Sequence, residues 1–258
     1  MKEKLTVVKL GGNCMDDQHL LQMFLQKFAE LPGRKLLVHG GGKIATELGH
    51  RLNIPLQMID GRRVTDSDTL GVVTMVYAGL LNKKLVALLH ALHCNAFGFC
   101  GADGNFIRAV KRNSIPVDYG FVGDPSDVDC DLLNALLQSA LVPVISPVTH
   151  DGNGQLLNTN ADTVASVIAS AMSEHYEVHL LFAFDKTGVL SDPANDASVI
   201  RTLTEAQLSR LKEDGKIHSG MIPKLKAGFS ALNSGASVVT IQHVSSLNTN
   251  QPVTKLHL

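Results

Sequence analysis

Two short glycine runs are the first places in this chain where residue type and spacing suggest chemistry. Gly11-Gly12 follows the apolar stretch Thr6-Val7-Val8-Lys9-Leu10, and Gly40-Gly41-Gly42 follows the stretch Lys35 to His39. Glycine lets backbone N–H groups approach an anion closely, and a helix N-terminus behind the turn adds a favourable dipole. Neither run is a P-loop or a dinucleotide fingerprint, because Gly-x-x-x-x-Gly-Lys-Ser/Thr and Gly-x-Gly-x-x-Gly are both absent. Either alone reads equally well as a tight turn. Two of them at the carboxyl ends of neighbouring parallel strands would face the crevice where ligands of open α/β sheets bind, which favours phosphate chemistry.

Two lysines fit an anion, and one Asn/Asp motif is only partly explained by helix capping. Lys9 interrupts an apolar strand, where a buried charge is costly without a partner. It is either an edge-strand lysine reaching to water or a lysine aimed at a phosphate beside Gly11-Gly12. Lys224 falls in the first turn of a helix that begins near Met221, the end where the dipole disfavours a cation. It is either solvated or compensated by a nearby anion. In Asn158-Thr-Asn160-Ala-Asp162, Asn160 suits an N-cap and Asp162 the first helical turn, which leaves Asn158 unexplained.

Other constellations are bland. His93, Cys94 and Cys100 lack zinc-ligand spacing, His175 and His179 straddle a loop-to-strand junction, and Asp127, Asp129 and Asp131 suit a solvated helix N-terminus. No Gly-x-Ser-x-Gly elbow or His-Glu-x-x-His is present. None of Cys14, Cys94, Cys100 and Cys130 forms a Cys-x-x-Cys pair, as expected for reduced thiols in a cytoplasmic protein.

The elements that must hold these residues alternate. Short apolar runs near Thr6–Leu10, Lys35–Val38, Ala96–Phe99, Val142–Ile145, Val178–Phe182 and Val238–Ile241 read as strands, the last closing the series. Leu20, Leu21, Phe24, Leu25, Phe28 and Leu31 share one helical face behind Asp16 or Asp17 as N-cap, and a long helix is expected from about Ser67 to Leu92. A hairpin is expected within residues 105–121 and a tight turn at Asp151-Gly-Asn-Gly154, and Thr204-Glu-Ala-Gln207 reads as a capping box. Strand, glycine turn and helix, twice over, imply a parallel sheet with crossover helices. The weakest seam lies near Ser173-Glu174-His175.

With 258 residues and 45% hydrophobic content the composition is that of a globular chain, and no apolar run is expected to span a membrane. The 23 Lys+Arg balance 24 Asp+Glu and aromatics are 5%, so neither nucleic acid nor an anionic membrane is an expected partner.

Five motifs, in order, carry a resemblance over nearly the whole chain: Val8-Lys9-Leu10-Gly11-Gly12, Val38-His39-Gly40-Gly41-Gly42, Gly61-Arg62-Arg63-Val64-Thr65, Asn158-Thr-Asn160-Ala-Asp162 and Ser219-Gly220-Met221-Ile222-Pro223-Lys224. Together they resemble the amino acid kinase family, on its acylglutamate branch. The resemblance implies an α/β fold, a three-layer αβα sandwich around a mainly parallel central sheet, in a single domain over 1–258. It puts substrate binding and dimerisation in an N-lobe of about 1–174 and nucleotide binding in a C-lobe of about 175–258. The activity it implies is ATP-dependent phosphorylation of the side-chain carboxylate of an N-acylated L-glutamate, in arginine biosynthesis. A sister kinase acting on N-succinyl-glutamate or an aminoadipate derivative, or a non-catalytic sensing subunit, are the alternatives.

By the same resemblance, Lys9 and Lys224 flank the transferring phosphoryl group and Asp162 holds both. Gly11, Gly12, Gly41 and Gly42 donate backbone N–H groups, Arg63 forms a bidentate pair with the substrate α-carboxylate, and Asn158 and Asn160 complete the substrate site. Asp185, Lys186, Thr187, Gly188, Val189, Leu190, Lys216, Ile217 and His218 line the ATP site. Mg²⁺ rides on the ATP phosphates with no direct protein ligand. Two features depart from the family pattern: the apolar Phe182-Ala183-Phe184 approach to the nucleotide loop, and Ser219 before Gly220. The chain begins at its first strand, without the extra helix of arginine-inhibited hexameric members, so an arginine-insensitive homodimer joined through the Ser67–Leu92 helix is expected.

Overall fold

The computed structural model describes residues 2–59, 62–192, 194–195, 197–215, 217, 220–249 and 251–258. In chain order, strand β1 (Lys4–Leu10) leads into helices α1 (Asn13–Asp16) and α2 (Gln18–Ala29), then β2 (Arg34–His39) and α3 (Gly42–Arg51). A small hairpin of β3 (Met58–Ile59) and β4 (Arg62–Arg63) precedes a long helix made of α4 (Ser67–Val73), a π-helical segment (Thr74–Leu81) and α5 (Asn82–Ala91). Next come β5 (Ala96–Cys100), β6 (Ile107–Lys111), β7 (Gly123–Val128), α6 (Cys130–Gln138), β8 (Val142–Ser146), β9 (Val148–His150), β10 (Leu156–Asn158) and α7 (Ala161–Met172). The remainder is β11 (Glu177–Phe184), β12 (Thr202–Thr204), α8 (Glu205–Glu213), α9 (Met221–Asn233), β13 (Val238–His243) and β14 (Thr254–His257).

Among the described residues the main sheet has eight strands in the order β12-β14-β13-β11-β1-β2-β8-β5. From β13 to β5 every pairing is parallel, and β14 joins β13 antiparallel. β1 therefore lies in the interior of the sheet, between β2 and β11, and Lys9 is not on an edge strand. A second sheet of four short strands, β10-β9-β6-β7, stands beside it.

The pleat of β1 sorts its side chains between two cores, as a strand buried on both faces requires. Leu5 and Val7 pack with Val164, Ile168, Leu225 and Phe229 of α7 and α9. Val8 and Leu10 pack with Phe24 and Phe28 of α2 and with Val72, Val76 and Leu85 of the long helix. This is the αβα layering. Each such fully buried side chain contributes roughly 1.5–3 kcal/mol.

Several elements differ from the sequence expectation, among them the π-helical segment, the β3–β4 hairpin and β12. The partner of β6 arrives at Gly123, so residues 112–122 are the connection rather than part of a hairpin within 105–121. A short strand, β14, follows the one expected to be last; its four residues alternate buried Thr254 and Leu256 with exposed Lys255 and His257, too brief a pattern to register. The Ser67–Ala91 helix is, by length and a mean hydropathy of 1.5, long and apolar enough to cross a membrane, contrary to the reading of the sequence. Here it is a core helix, with Val72, Val73, Val76, Leu81, Leu85 and Leu89 buried.

Candidate active site

The carboxyl ends of β11, β1 and β2 are adjacent, and the residues with chemistry gather there. Lys9 shares the β1 face of Leu5 and Val7, so its side chain points toward α7. There its Nζ lies 2.8 Å from Asp162 Oδ1. Lys224 Nζ reaches the same oxygen at 3.0 Å. All three residues are 7% exposed, so two ammonium groups converge on one buried carboxylate. Asp162 is held by its own helix: Asn160 caps α7, its Oδ1 accepting from the backbone N–H of Asp162 at 2.8 Å and of Thr163 at 3.1 Å.

Burial alone would raise the Asp162 pKa, but Lys224 and Lys9 outweigh it and hold the carboxyl well below its ordinary range. Asp162 is thus ionised and saturated with donors, and the cluster carries one net positive charge. Burial pushes the Lys224 ammonium down to about 8, against the pull of Asp162 and with help from Lys9. Two aromatic rings face Lys224, with centroids of Phe182 at 5.3 Å and Phe184 at 5.7 Å. The apolar approach that departs from the family pattern supplies those rings.

The two glycine turns meet. A Cβ on Gly12 would lie 3.9 Å from the Gly42 amide nitrogen. Gly41 has φ 155°, and a Cβ there would fall 2.1 Å from Leu81 Cδ1, so only glycine fits. Both turns line a cavity of about 190 Å³ with Lys9 and Asp162, and Arg62, Arg63 and Asn158 form other parts of its wall. Arg63 is buried, and its Nη2 donates to Gly42 O at 2.7 Å and Thr46 Oγ1 at 2.9 Å. Its Nη1 is buried without a protein partner. A buried guanidinium nitrogen without an acceptor is costly, and the Tyr77 side chain is the neighbour that interacts with this guanidinium. Asn158 Nδ2 donates to Thr65 Oγ1 at 3.0 Å, and that hydroxyl donates to Arg63 O at 2.9 Å, which locks Asn158 to the Arg63 strand.

Residues 4–243 match the amino acid kinase family. The chain belongs to that family. An acetylglutamate kinase of Bacteroides thetaiotaomicron is 49% identical over 251 residues, covering 97% of this chain and 98% of that protein. Among solved structures, smu.665 from Streptococcus mutans superposes with a TM-score of 0.79 at 22% identity, covering 97% of this chain and 98% of that one. Carbamate kinase from Giardia lamblia, bound to AMP-PNP, superposes with a TM-score of 0.71 at 11% identity and 99% coverage of both chains, a likeness of fold.

Within this family member, four expectations for individual residues need revision. The Gly11 N–H donates to Ala183 O at 2.8 Å and so is engaged within the sheet; glycine is required there because a Cβ would sit 2.9 Å from Phe184 Cβ. Arg63 spends both Nη2 hydrogens on the protein, so it offers Nη1 rather than a whole fork. Val189 is 2% exposed and packs into the core beside α7 and α9, which leaves only its backbone for a ligand. The Val189 N–H itself donates to Thr254 Oγ1 at 2.9 Å. Gly188 is buried against the same threonine.

Among the described residues, the remaining members of the nucleotide loop do not line the Lys9 cavity. Asp185 accepts from Asn13 Nδ2 at 3.1 Å, Leu190 bridges to Val199, and Ile217 packs on the core; Lys186 is exposed and Thr187 half-buried. Lys216, His218 and Ser219 lie outside the described residues. Sequence reasoning missed Tyr77, buried and on the cavity wall beside Gly41 and Gly42, and Arg62, on the opposite side of the hairpin strand from Arg63 in sequence parity. An amphipathic helix pattern carries no mark that would single out Tyr77 from core residues.

Proposed function

We propose that this kinase transfers the γ-phosphoryl group of ATP to the side-chain carboxylate of N-acetyl-L-glutamate, giving N-acetyl-L-glutamyl 5-phosphate and ADP, the second step of arginine biosynthesis. The observation that carries the reading is the pairing of Lys9 and Lys224 on Asp162 at one part of a cavity whose wall also includes the buried Arg63. The 49% identity to an acetylglutamate kinase over nearly the full chain supports the substrate.

The nucleophile is a carboxylate with an ordinary pKa near 4.3, ionised at neutral pH, so no general base is required. Asp162, saturated by two lysines, is suited to holding them rather than to taking a proton. What remains is positioning and charge stabilisation in a loose phosphoryl-transfer state. Lys9 and Lys224 neutralise charge on the migrating group, and the amides of Gly12, Gly41 and Gly42 bind oxygens around it. Arg63 Nη1 takes the α-carboxylate, and Asn158 Oδ1 accepts from the acylated N–H, with Asn160 setting the start of α7 beside it. Mg²⁺ fits this donor set only on the ATP phosphates, because the single acid of the cluster is already paired; bound there, it supplies further charge neutralisation.

The amino-acid substrate occupies residues of the 1–174 part and the nucleotide those after 175, with Asp185 to Leu190 near the ATP. The protein works in the cytoplasm, in keeping with four unpaired cysteines, as a homodimer joined through the long helix. An ADP-release assay over a panel of acylated amino acids tests the function: N-acetyl-L-glutamate should give the highest kcat/KM. Faster turnover of another acylated substrate would overturn the substrate assignment, and no turnover of any would overturn the activity.

A further inference from the structure

Beside the reaction cavity lies a second, larger one of about 610 Å³, walled by Arg62, Arg112, Lys226 and the hydroxyl residues Thr163, Ser166 and Ser230. Its charge is lopsided. Arg112 Nη2 pairs with Asp124, whereas Arg62 and Lys226 make no ion pair among the described residues. Burial and then the neighbouring Arg112 push the Arg62 pKa below its ordinary value, and the nearby Asp124 offsets them only in part. Arg112 is fixed where it is: its guanidinium carbon lies 5.9 Å from the Tyr119 ring centre, and its Nε is buried with no hydrogen-bond partner. The groove thus gathers three cations with the one carboxylate of Asp124 near them, together with the hydroxyl groups of Thr163 and Ser230, the Ser166 hydroxyl already donating to Ala227 O.

We propose that this groove is an anion site for a small dianion, a phosphate monoester or a dicarboxylate, separate from the phosphoryl-transfer centre. Guanidinium groups bind such oxyanions through charge-assisted hydrogen bonds. Lys226 follows Lys224 by two positions, so on α9 it projects about 200° away from the reaction centre. Arg62 lines both cavities, so an anion bridging Arg62 to Lys226 ties the substrate wall to the helix that carries Lys224. Occupancy of the groove is therefore placed to tune the substrate side from outside it.

Titration calorimetry with inorganic phosphate, and in a second series with malonate, on the whole chain tests this directly. The expected result is uptake of about one anion per chain that Lys226→Gln and Arg112→Gln each weaken at least tenfold and Lys9→Ala leaves intact. Lys226 is exposed, so its substitution leaves the fold unaffected even where Arg112→Gln disturbs the β6–β7 connection. Uptake of phosphate alone or malonate alone assigns the site to that chemistry. No uptake of either at millimolar concentration, or uptake lost in Lys9→Ala and unchanged in Lys226→Gln, overturns the proposal.

Discussion

Lys224 is the residue through which pH reaches this site. Its ammonium group, lowered to about 8 chiefly by burial, is charged below that pH and neutral above it. The free-enzyme profile of kcat/KM should therefore fall about tenfold per pH unit on an alkaline limb centred near 8. The unfolded chain keeps this proton up to its ordinary 10.5, so across that window the contribution of Lys224 to stability rises with pH. Melting curves recorded beside the rates should show no loss of fold where activity falls; a Tm that drops in step with the limb would assign it to unfolding instead. Arg63→Lys removes two bonds to Gly42 and Thr46 together with the buried Nη1. Losing a charge-assisted hydrogen bond of about 1.5–3 kcal/mol should raise KM for the amino-acid substrate roughly 10- to 100-fold. KM for ATP should change little, and equal effects on both substrates in steady-state kinetics would remove Arg63 from the carboxylate. At this scale the sequence was readable where a residue violated its surroundings. Lys9 in an apolar strand and Lys224 at the wrong end of a helix each offered an anionic partner as one of two readings, the other being a lysine reaching to water. Gly11 and Gly12 look alike in sequence, and only the sheet register shows that the amide of the first is already engaged by Ala183.

Among the elements, the π-helical segment Thr74–Leu81 has the clearest consequence. Such segments are wider, i→i+5 bonded turns within α-helices, frequent at functional sites. This one places Leu81 and the Tyr77 ring directly against Gly41, so the turn that closes the cavity is pressed from behind by the core. Gly41→Ala would combine a φ of 155° with a contact of 2.1 Å to Leu81 Cδ1. Strain of this kind costs about 1–3 kcal/mol and overpacking a similar amount. The variant should lose several degrees in Tm, and its KM for the acyl amino acid should rise more than its KM for ATP. Calorimetry matching wild type, with unchanged KM, would show that the turn yields freely. The two strand–glycine–helix units and α7 were predictable from apolar periodicity and capping residues, since each is local. The π winding was not, because a hydrophobic stretch such as Thr74–Leu81 fits α and π helices equally well. β14 and the return of β7 at Gly123 depend on partners far along the chain.

For the whole molecule, the main sheet runs without a break across the sequence seam near residue 174, because β1 pairs in parallel with β11 from Lys4↔Glu177 to Leu10↔Ala183. The Lys9–Asp162–Lys224 cluster straddles that junction: Lys9 comes from the first strand, Asp162 from α7 and Lys224 from α9. No separate linker could keep those groups within 3 Å of one oxygen, so a continuous sheet is what makes the site possible. The same long helix that buttresses the cavity also exposes Met75 at 53% and Leu80 at 56%, large apolar side chains at odds with a solvated surface. The i→i+5 winding of the π segment brings these two residues, five apart, onto neighbouring positions of the helix surface. Leu88, at 37%, extends the apolar surface into α5. A twofold contact through this helix would cover that surface in both copies at once, as isologous interfaces do. Light scattering on the eluting protein should report twice the mass of 27.7 kDa for wild type. The double variant Met75→Glu, Leu80→Glu should elute as a monomer, because four carboxylates would face one another across the axis. A monomeric wild type, or a double variant that stays dimeric, would place the interface elsewhere and leave the exposed face of this helix without a partner.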